Sequence, residues 1–389
     1  MNKFNVIALV FLFTFSSFTI KAADDGKSDF NPLTTGVPSL TIAPDARGGG
    51  MGDIGAATDP DIYSQYWNPA KYAFSYSKAG IGLSYTPWLR SLVDDIDLAY
   101  LSGFYKLGDS DRHAIGASLR YFSLGRIEMT DYYGGTIYAT NPYEMAFDVS
   151  YSLKFSETFA GAAAFRFIYS DLGAGVEELD PGTAWAADIA GYYHNYVMMG
   201  NSECLLGLGF NISNIGTKIT YDGGNTNNFL PTNMRLGASL LMPMDDYNTI
   251  SFNLDVNKLL IPTPPDTEDM SAEEKQQALT DYFNTNSISG IFKSFGDAPG
   301  GAKEEFQEIM WSFGAEYAYN NQFFVRGGYF YENPNKGNRQ YFSLGAGFKL
   351  TAFQMDVAYL ISTVPSNPLD QTLRFSLSFD MDGLKNLMR

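Results

Sequence analysis

One cysteine, Cys204, and two histidines, His113 and His194, are all that the 389 residues hold of those types. A disulfide framework needs pairs of cysteines, and a Cys/His zinc site needs four clustered ligands, so both are excluded by count. A Ser/His/Asp triad would have to recruit one of the two histidines. His113 begins one alternating stretch and His194 ends another, and both read as surface or interface residues. Cys204, at the opening of a further stretch, reads as a buried or lipid-facing thiol. Charge is scarce at 18% of residues, against roughly 25% in ordinary soluble domains. Positive charge is scarcer still: 26 Lys and Arg face 43 Asp and Glu, a net charge of −17. A surface that follows a phosphate backbone needs the opposite balance, so nucleic acid is excluded as a partner. Aromatics at 15% exclude a disordered chain. The carboxylates Asp94, Asp95 and Asp97, and Glu177, Glu178 and Asp180, lack the ligand spacing of an EF-hand and read as solvated loop charge. No metal or cofactor is expected.

Long apolar runs are also missing, with one exception at the start. Lys3 precedes an apolar stretch, Val6 to Ile20, followed by Ala22, Ala23, Asp24 and Asp25. That order is expected of an export signal over residues 1–23. No later segment reaches the roughly 18 apolar residues of a membrane helix.

What the rest of the chain does have is a period of two. Met145, Phe147, Val149, Tyr151, Leu153 and Phe155 alternate with Glu144, Ala146, Asp148, Ser150, Ser152 and Lys154. One face of such a strand is apolar and the other polar. Fourteen stretches of this kind are expected: 80–88, 96–106, 113–124, 144–155, 158–169, 184–194, 204–213, 233–243, 248–258, 308–319, 322–331, 340–350, 352–362 and 371–380. Most are longer than the 5–6 residues usual in soluble strands and match the 9–11 that a tilted membrane strand requires. An even number, with short turns alternating with longer loops, predicts an all-β fold: a 14-stranded antiparallel transmembrane β-barrel over 80–389 with both ends of the sheet in the periplasm. A sandwich or propeller would carry Lys, Glu and Arg on its wet faces. Here the polar faces are mostly Gly, Ser, Ala and Asn, as in a filled barrel interior. Tyr85, Trp88, Tyr121, Tyr169, Trp185, Tyr193, Trp311, Tyr329 and Tyr331, near strand ends, are expected to form interfacial girdles.

Residues 24–79 do not alternate. Gly48, Gly49, Gly50 and Gly52 lack the preceding strand and the following Lys of a phosphate loop. Small residues there fit a short helix packed closely inside a barrel, and the segment is long enough to plug a lumen. The stretches Thr41–Asp53 (TIAPDARGGGMGD) and Trp67–Phe74 (WNPAKYAF) resemble the PorV family of the type IX secretion system, and the strand count extends that likeness along the mature chain. The Asn68-Pro69-Ala70 element also resembles the wider FadL-like barrels. The resemblance implies a FadL-like barrel in the cell outer membrane with an N-terminal plug, in which Asp45, Arg47, Trp67, Asn68 and Pro69 are structural. It implies no enzymatic activity. It implies partners as well: the type IX translocon barrel, cargo with C-terminal signal domains, the surface sortase that receives that cargo, and lipopolysaccharide. The sequence departs from many barrels in carrying ten residues, Asp380 to Arg389, after the aromatic Phe379.

The connection 259–307 is the longest. Ser271 and Glu274 form a capping box that predicts a helix over about 272–283. Phe283, Ile288, Ile291, Phe292 and Phe295 form an apolar cluster, which either folds over the barrel mouth or binds a partner. Two further functions stay open beside a cargo shuttle: a FadL-like channel for hydrophobic small molecules, and a lipopolysaccharide-modifying enzyme. The last lacks any nucleophile–base pair.

Overall fold

Alternation of apolar and polar residues builds the strands found in the computed structural model, which describes residues 30–383 except 91, 92, 94, 109, 110, 131–134, 174–179, 225, 268, 269, 366 and 368. The expected export signal, the start of the N-terminal segment, Asp94, Glu177 and Glu178 lie outside the described residues.

Among the described residues there are sixteen strands: β1 (Ala79–Pro87), β2 (Asp97–Leu107), β3 (His113–Ser123), β4 (Ile127–Thr130), β5 (Thr136–Thr140), β6 (Tyr143–Lys154), β7 (Phe159–Asp171), β8 (Gly182–Met199), β9 (Ser202–Gly216), β10 (Asn233–Pro243), β11 (Asn248–Leu259), β12 (Ile309–Tyr319), β13 (Phe323–Tyr331), β14 (Gln340–Lys349), β15 (Phe353–Ser362) and β16 (Leu373–Asp380). Fourteen of them close into a barrel in chain order, with β16 pairing β1 so that Leu83 faces Leu377 across the seam. Closure leaves no unpaired edge, which lipid would not tolerate.

Two features depart from the alternation in the sequence. β4 and β5 form a separate two-stranded hairpin inside the connection 124–142, which reads as plain loop. β8 and β9 run well beyond 184–194 and 204–213, and turn at Gly200, whose φ of 69° suits glycine. Their extension carries the exposed residues Tyr196, Met198 and Met199.

The outward side chains form an apolar wall. Leu83, Leu119, Val149, Phe165, Ile189, Leu208, Phe252, Phe313, Val325, Leu344, Met355 and Phe375 are all exposed, from twelve different strands. An apolar surface of this extent belongs in lipid. At the end where β3 stops and β6 starts, Tyr121, Tyr143 and Tyr169 follow one another at ring separations of 5.6 and 5.8 Å. Tyr85, Tyr121, Trp185 and Trp311 are exposed at that same end, whereas Trp88 packs inward against Ile42, Leu98 and Phe122. Among the described residues no helix is long and apolar enough to cross a membrane; this chain crosses with strands.

Candidate functional site

Inside the barrel lies the segment before β1. It is built of short helical turns, Pro38–Thr41, Ala46–Gly49, Ser64–Trp67 and Pro69–Phe74. Each is too short to be stable alone, so the walls hold them. Asp45 caps the second turn by accepting from the Gly48 N–H at 2.8 Å, and its other oxygen accepts from Trp67 Nε1 at 2.6 Å. Burial pushes the Asp45 carboxyl up to about 6, with the nearby Asp61 charge adding to the rise. The shift is upward, so this group favours the fold most below its unfolded value near 3.8, and that contribution is lost as pH rises through 6.

The glycines permit close approach. A Cβ on Gly48 or Gly55 would lie 2.4 or 2.3 Å from the Trp67 ring, and one on Gly52, at φ 82°, would meet the Tyr329 backbone at 2.9 Å. They serve packing rather than anion binding.

Arg47 donates to Asp61 at 2.9 Å and to both oxygens of Glu316 at 3.0 and 3.2 Å. Glu316 also accepts from Arg326 at 2.5 Å, and Arg326 reaches Asp356 at 2.6 Å. Five alternating charges thus tie the segment to β12, β13 and β15. Paired in this way, buried charges are retained; breaking one pair strands another. The Asn68 amide bonds the carbonyls of Ala56 and Gly191 at 2.8 and 2.9 Å, and its oxygen caps the Pro69–Phe74 turn. Pro69 starts that turn, where no N–H is needed, and its carbonyl accepts from Ser152 at 2.6 Å. All five residues singled out from the sequence therefore lie in the interior, against the wall or one another.

Sequence reasoning missed the wall's half of these contacts. Asp255 accepts from the Gly55 and Ala56 N–H groups at 2.9 and 3.0 Å, and Asp53 joins Arg374 and Tyr341 at 2.6 and 2.5 Å. The signal was there: Asp255, Arg235, Glu316, Arg326, Asp356 and Arg374 are charges at inward positions of otherwise plain strands.

The second assembly is at the mouth, over residues 260–308. Its base is polar and rigid. Glu308 accepts from Lys258 at 2.5 Å, Thr263 at 2.7 Å and Lys336 at 3.1 Å, while Glu304 accepts from Lys336 at 2.5 Å and from Asn31 at 3.1 Å. Beyond it the expected helix forms over Ala272–Asn284, with its capping box and no buried residue. A second helix, Ser287–Lys293, buries only Gly290, which packs against Pro262 and Phe229. The apolar cluster divides. Ile288, Phe292 and Phe295 are 51, 76 and 54% exposed, and Phe306 joins them at 74%. Phe283 and Ile291 are half-buried. Lys218 holds this region down, donating to the Phe283 carbonyl at 2.6 Å and standing over the Phe229 ring. A groove of about 640 Å³ runs between Phe283–Ile288 and the outward aromatics Phe165 and Trp185.

A closed fourteen-stranded barrel with a lipid-facing apolar wall and a filled polar interior is an outer-membrane β-barrel. The Pseudomonas putida toluene transporter TodX has a similar fold, with a TM-score of 0.50 at 11% identity, over 85% of this chain and 96% of that one. A Pseudomonas aeruginosa FadL homologue overlaps with a TM-score of 0.43 at 12% identity, over 90% of this chain and 99% of that one. No curated protein matches the chain. Residues 25–266 match the family described as type IX secretion system protein PorV. The chain belongs to the PorV family and is an outer-membrane component of type IX secretion.

Proposed function

We propose that this barrel is a non-enzymatic carrier in type IX secretion, taking cargo with a C-terminal signal domain from the translocon barrel to the surface sortase, which attaches it to lipopolysaccharide. In this reading both ends of the sheet are periplasmic and the 260–308 connection faces outward. The observation that carries it is the exposed set Ile288, Phe292, Phe295 and Phe306 on a loop whose base is fixed by buried ion pairs, in a PorV-family barrel. Exposed apolar anchors on a rigid base suit capture of a partner domain, because little ordering cost is added on binding. The histidines support a role without catalysis. His113 bonds the Tyr151 hydroxyl at 2.6 Å, and the His194 ring lies 4.1 Å from that of Phe74. The channel reading has the fold behind it, but the interior segment is bonded to the wall on many sides, which opposes free passage.

Deleting residues 266–300 is expected to leave the barrel folded, because Thr263, Glu304, Glu305 and Glu308 and every strand remain, and shortening a loop costs little. Binding of an isolated cargo signal domain, measured by pulldown, is expected to fall at least tenfold. The triple change Ile288→Ser, Phe292→Ser and Phe295→Ser should do the same at unchanged protein level, since losing even one anchor worth about 2 kcal/mol reduces binding roughly 30-fold. Undiminished binding in both variants would move the site to the connections 124–142 or 217–232.

A further inference from the structure

The groove of about 640 Å³ beside the mouth is bounded by the outer wall of the barrel on one side and by the loop segment 283–288 on the other. Phe165 on β7, Ala187 on β8 and Ile215 on β9 are register partners, so their side chains share one face of the sheet. That face is the lipid-facing one. Phe165 and Trp185 are 58 and 49% exposed on it, and their rings stack at 5.2 Å.

The lining changes character along the strands. Phe165, Ala187 and Ile215 are apolar and lie within the sheet. Trp185 comes next, its carbonyl accepting from the Thr217 N–H at 3.0 Å. Past the end of β9 stand Thr217 and Lys218, with Asn284 and Asn286 on the loop side. A membrane lipid has the same order, an apolar chain and then a polar headgroup, and aromatic girdles mark the level where the two meet. Lys218 gives the polar end its charge. One of its three N–H groups goes to the Phe283 carbonyl at 2.6 Å, which leaves two donors, and among the described residues it forms no ion pair. Apolar walls with nothing between them forfeit dispersion contacts, and water between them would leave Phe165, Ala187 and Ile215 wet. The groove is continuous with the surface that already meets lipid, so a lipid chain enters it without leaving the membrane.

We propose that this groove is a binding site for one membrane lipid with an anionic phosphate headgroup. An acyl chain lies along Phe165, Ala187 and Ile215 beneath the loop, and the headgroup meets Lys218. The bound lipid steadies the loop against the wall. The site does not rest on the cargo-carrier reading, and its test uses neither cargo nor translocon.

Trp185 is the reporter. The full chain, purified free of lipid in a non-ionic detergent, is titrated with phosphatidylglycerol brominated on one acyl chain and, separately, with brominated phosphatidylcholine. Bromine quenches tryptophan fluorescence on contact, and the quenching that Trp185→Phe loses belongs to Trp185. A saturable phase at low lipid is expected. It should be about fivefold tighter for phosphatidylglycerol, the effect of one lysine near an anionic lipid, and Lys218→Gln should make the two lipids equal. Ala187→Phe fills the groove from an outward position and keeps the wall apolar, and deletion of residues 266–300 removes the loop side. Both should abolish the saturable phase at an unchanged heat-modifiable gel shift, leaving only quenching proportional to lipid, as for any lipid beside the wall. If Ala187→Phe does not fold, the deletion decides the matter alone. Quenching that is only proportional to lipid in the unchanged chain, or a saturable phase that survives in a folded variant, would overturn the proposal. Equal affinity of the unchanged chain for the two lipids would overturn the anionic headgroup.

Discussion

Trp67→Ala should destabilise the folded barrel by about 3–5 kcal/mol, the range for deleting a large buried aromatic side chain. The residue is 1% exposed and is the meeting point of the interior segment. Its indole donates to Asp45, its ring meets Tyr66 edge-on at 4.8 Å, and Arg235 covers it. Gly48 and Gly55 lie against its ring because no side chain would fit there. Truncation leaves a void lined by glycine backbone and removes the Asp45 partner. Trp67→Phe keeps most of the volume and loses the N–H, so about 1–3 kcal/mol is expected from the unmet Asp45 oxygen. The check is the temperature at which the compact species disappears from gels in detergent. A drop for alanine, with phenylalanine between it and the unchanged chain, is expected. Equal temperatures for all three would mean that the segment is not part of the folded core.

Leu254→Arg is the second large effect. Leu254 lies midway along β11, opposite Ala238 and Phe313, on the outward side. A cation at that depth costs about 2–4 kcal/mol, so the equilibrium constant for folding into vesicles, read from denaturant titrations, should fall roughly 30-fold or more. Leu254→Phe, which keeps the face apolar, should assemble as the unchanged chain does. At the next position the reason for damage changes. Asn253 is 6% exposed, with its amide 3.8 Å from the Met51 sulfur. An arginine there is overpacked against the interior segment, which costs about 1–3 kcal/mol. An unchanged folding equilibrium for Leu254→Arg would show that this face does not meet lipid.

The strands were legible because a wall between lipid and a filled lumen forces opposite chemistry on alternate residues, as Phe252, Asn253, Leu254 and Asp255 show. The capping box at Ser271 and Glu274 was legible for a local reason: both partners lie within one turn. The ion pairs were not. Arg47 and Glu316, or Asp53 and Arg374, are hundreds of positions apart, and only the barrel's register brings them together. The extension of β8 and β9 was hidden because beyond the lipid the two faces no longer need to differ, so Asn195 and Glu203 sit on strand without the alternation that marks the rest. The division of the loop cluster, with Phe292 out and Phe283 half-covered, depends on where Lys218 and Phe229 hold the loop, and these belong to a different connection.

The proposed carrier role puts contact with the secretion machinery and its cargo at the apolar loop of the mouth. A photo-crosslinking residue at position 292, irradiated in intact cells that are exporting cargo, tests it most directly, with position 254 as the control on the barrel wall. Protein adducts at 292 that contain the translocon barrel or a cargo signal domain are expected, with lipid adducts at 254. Lipid adducts alone at 292, or none while export continues, would contradict it.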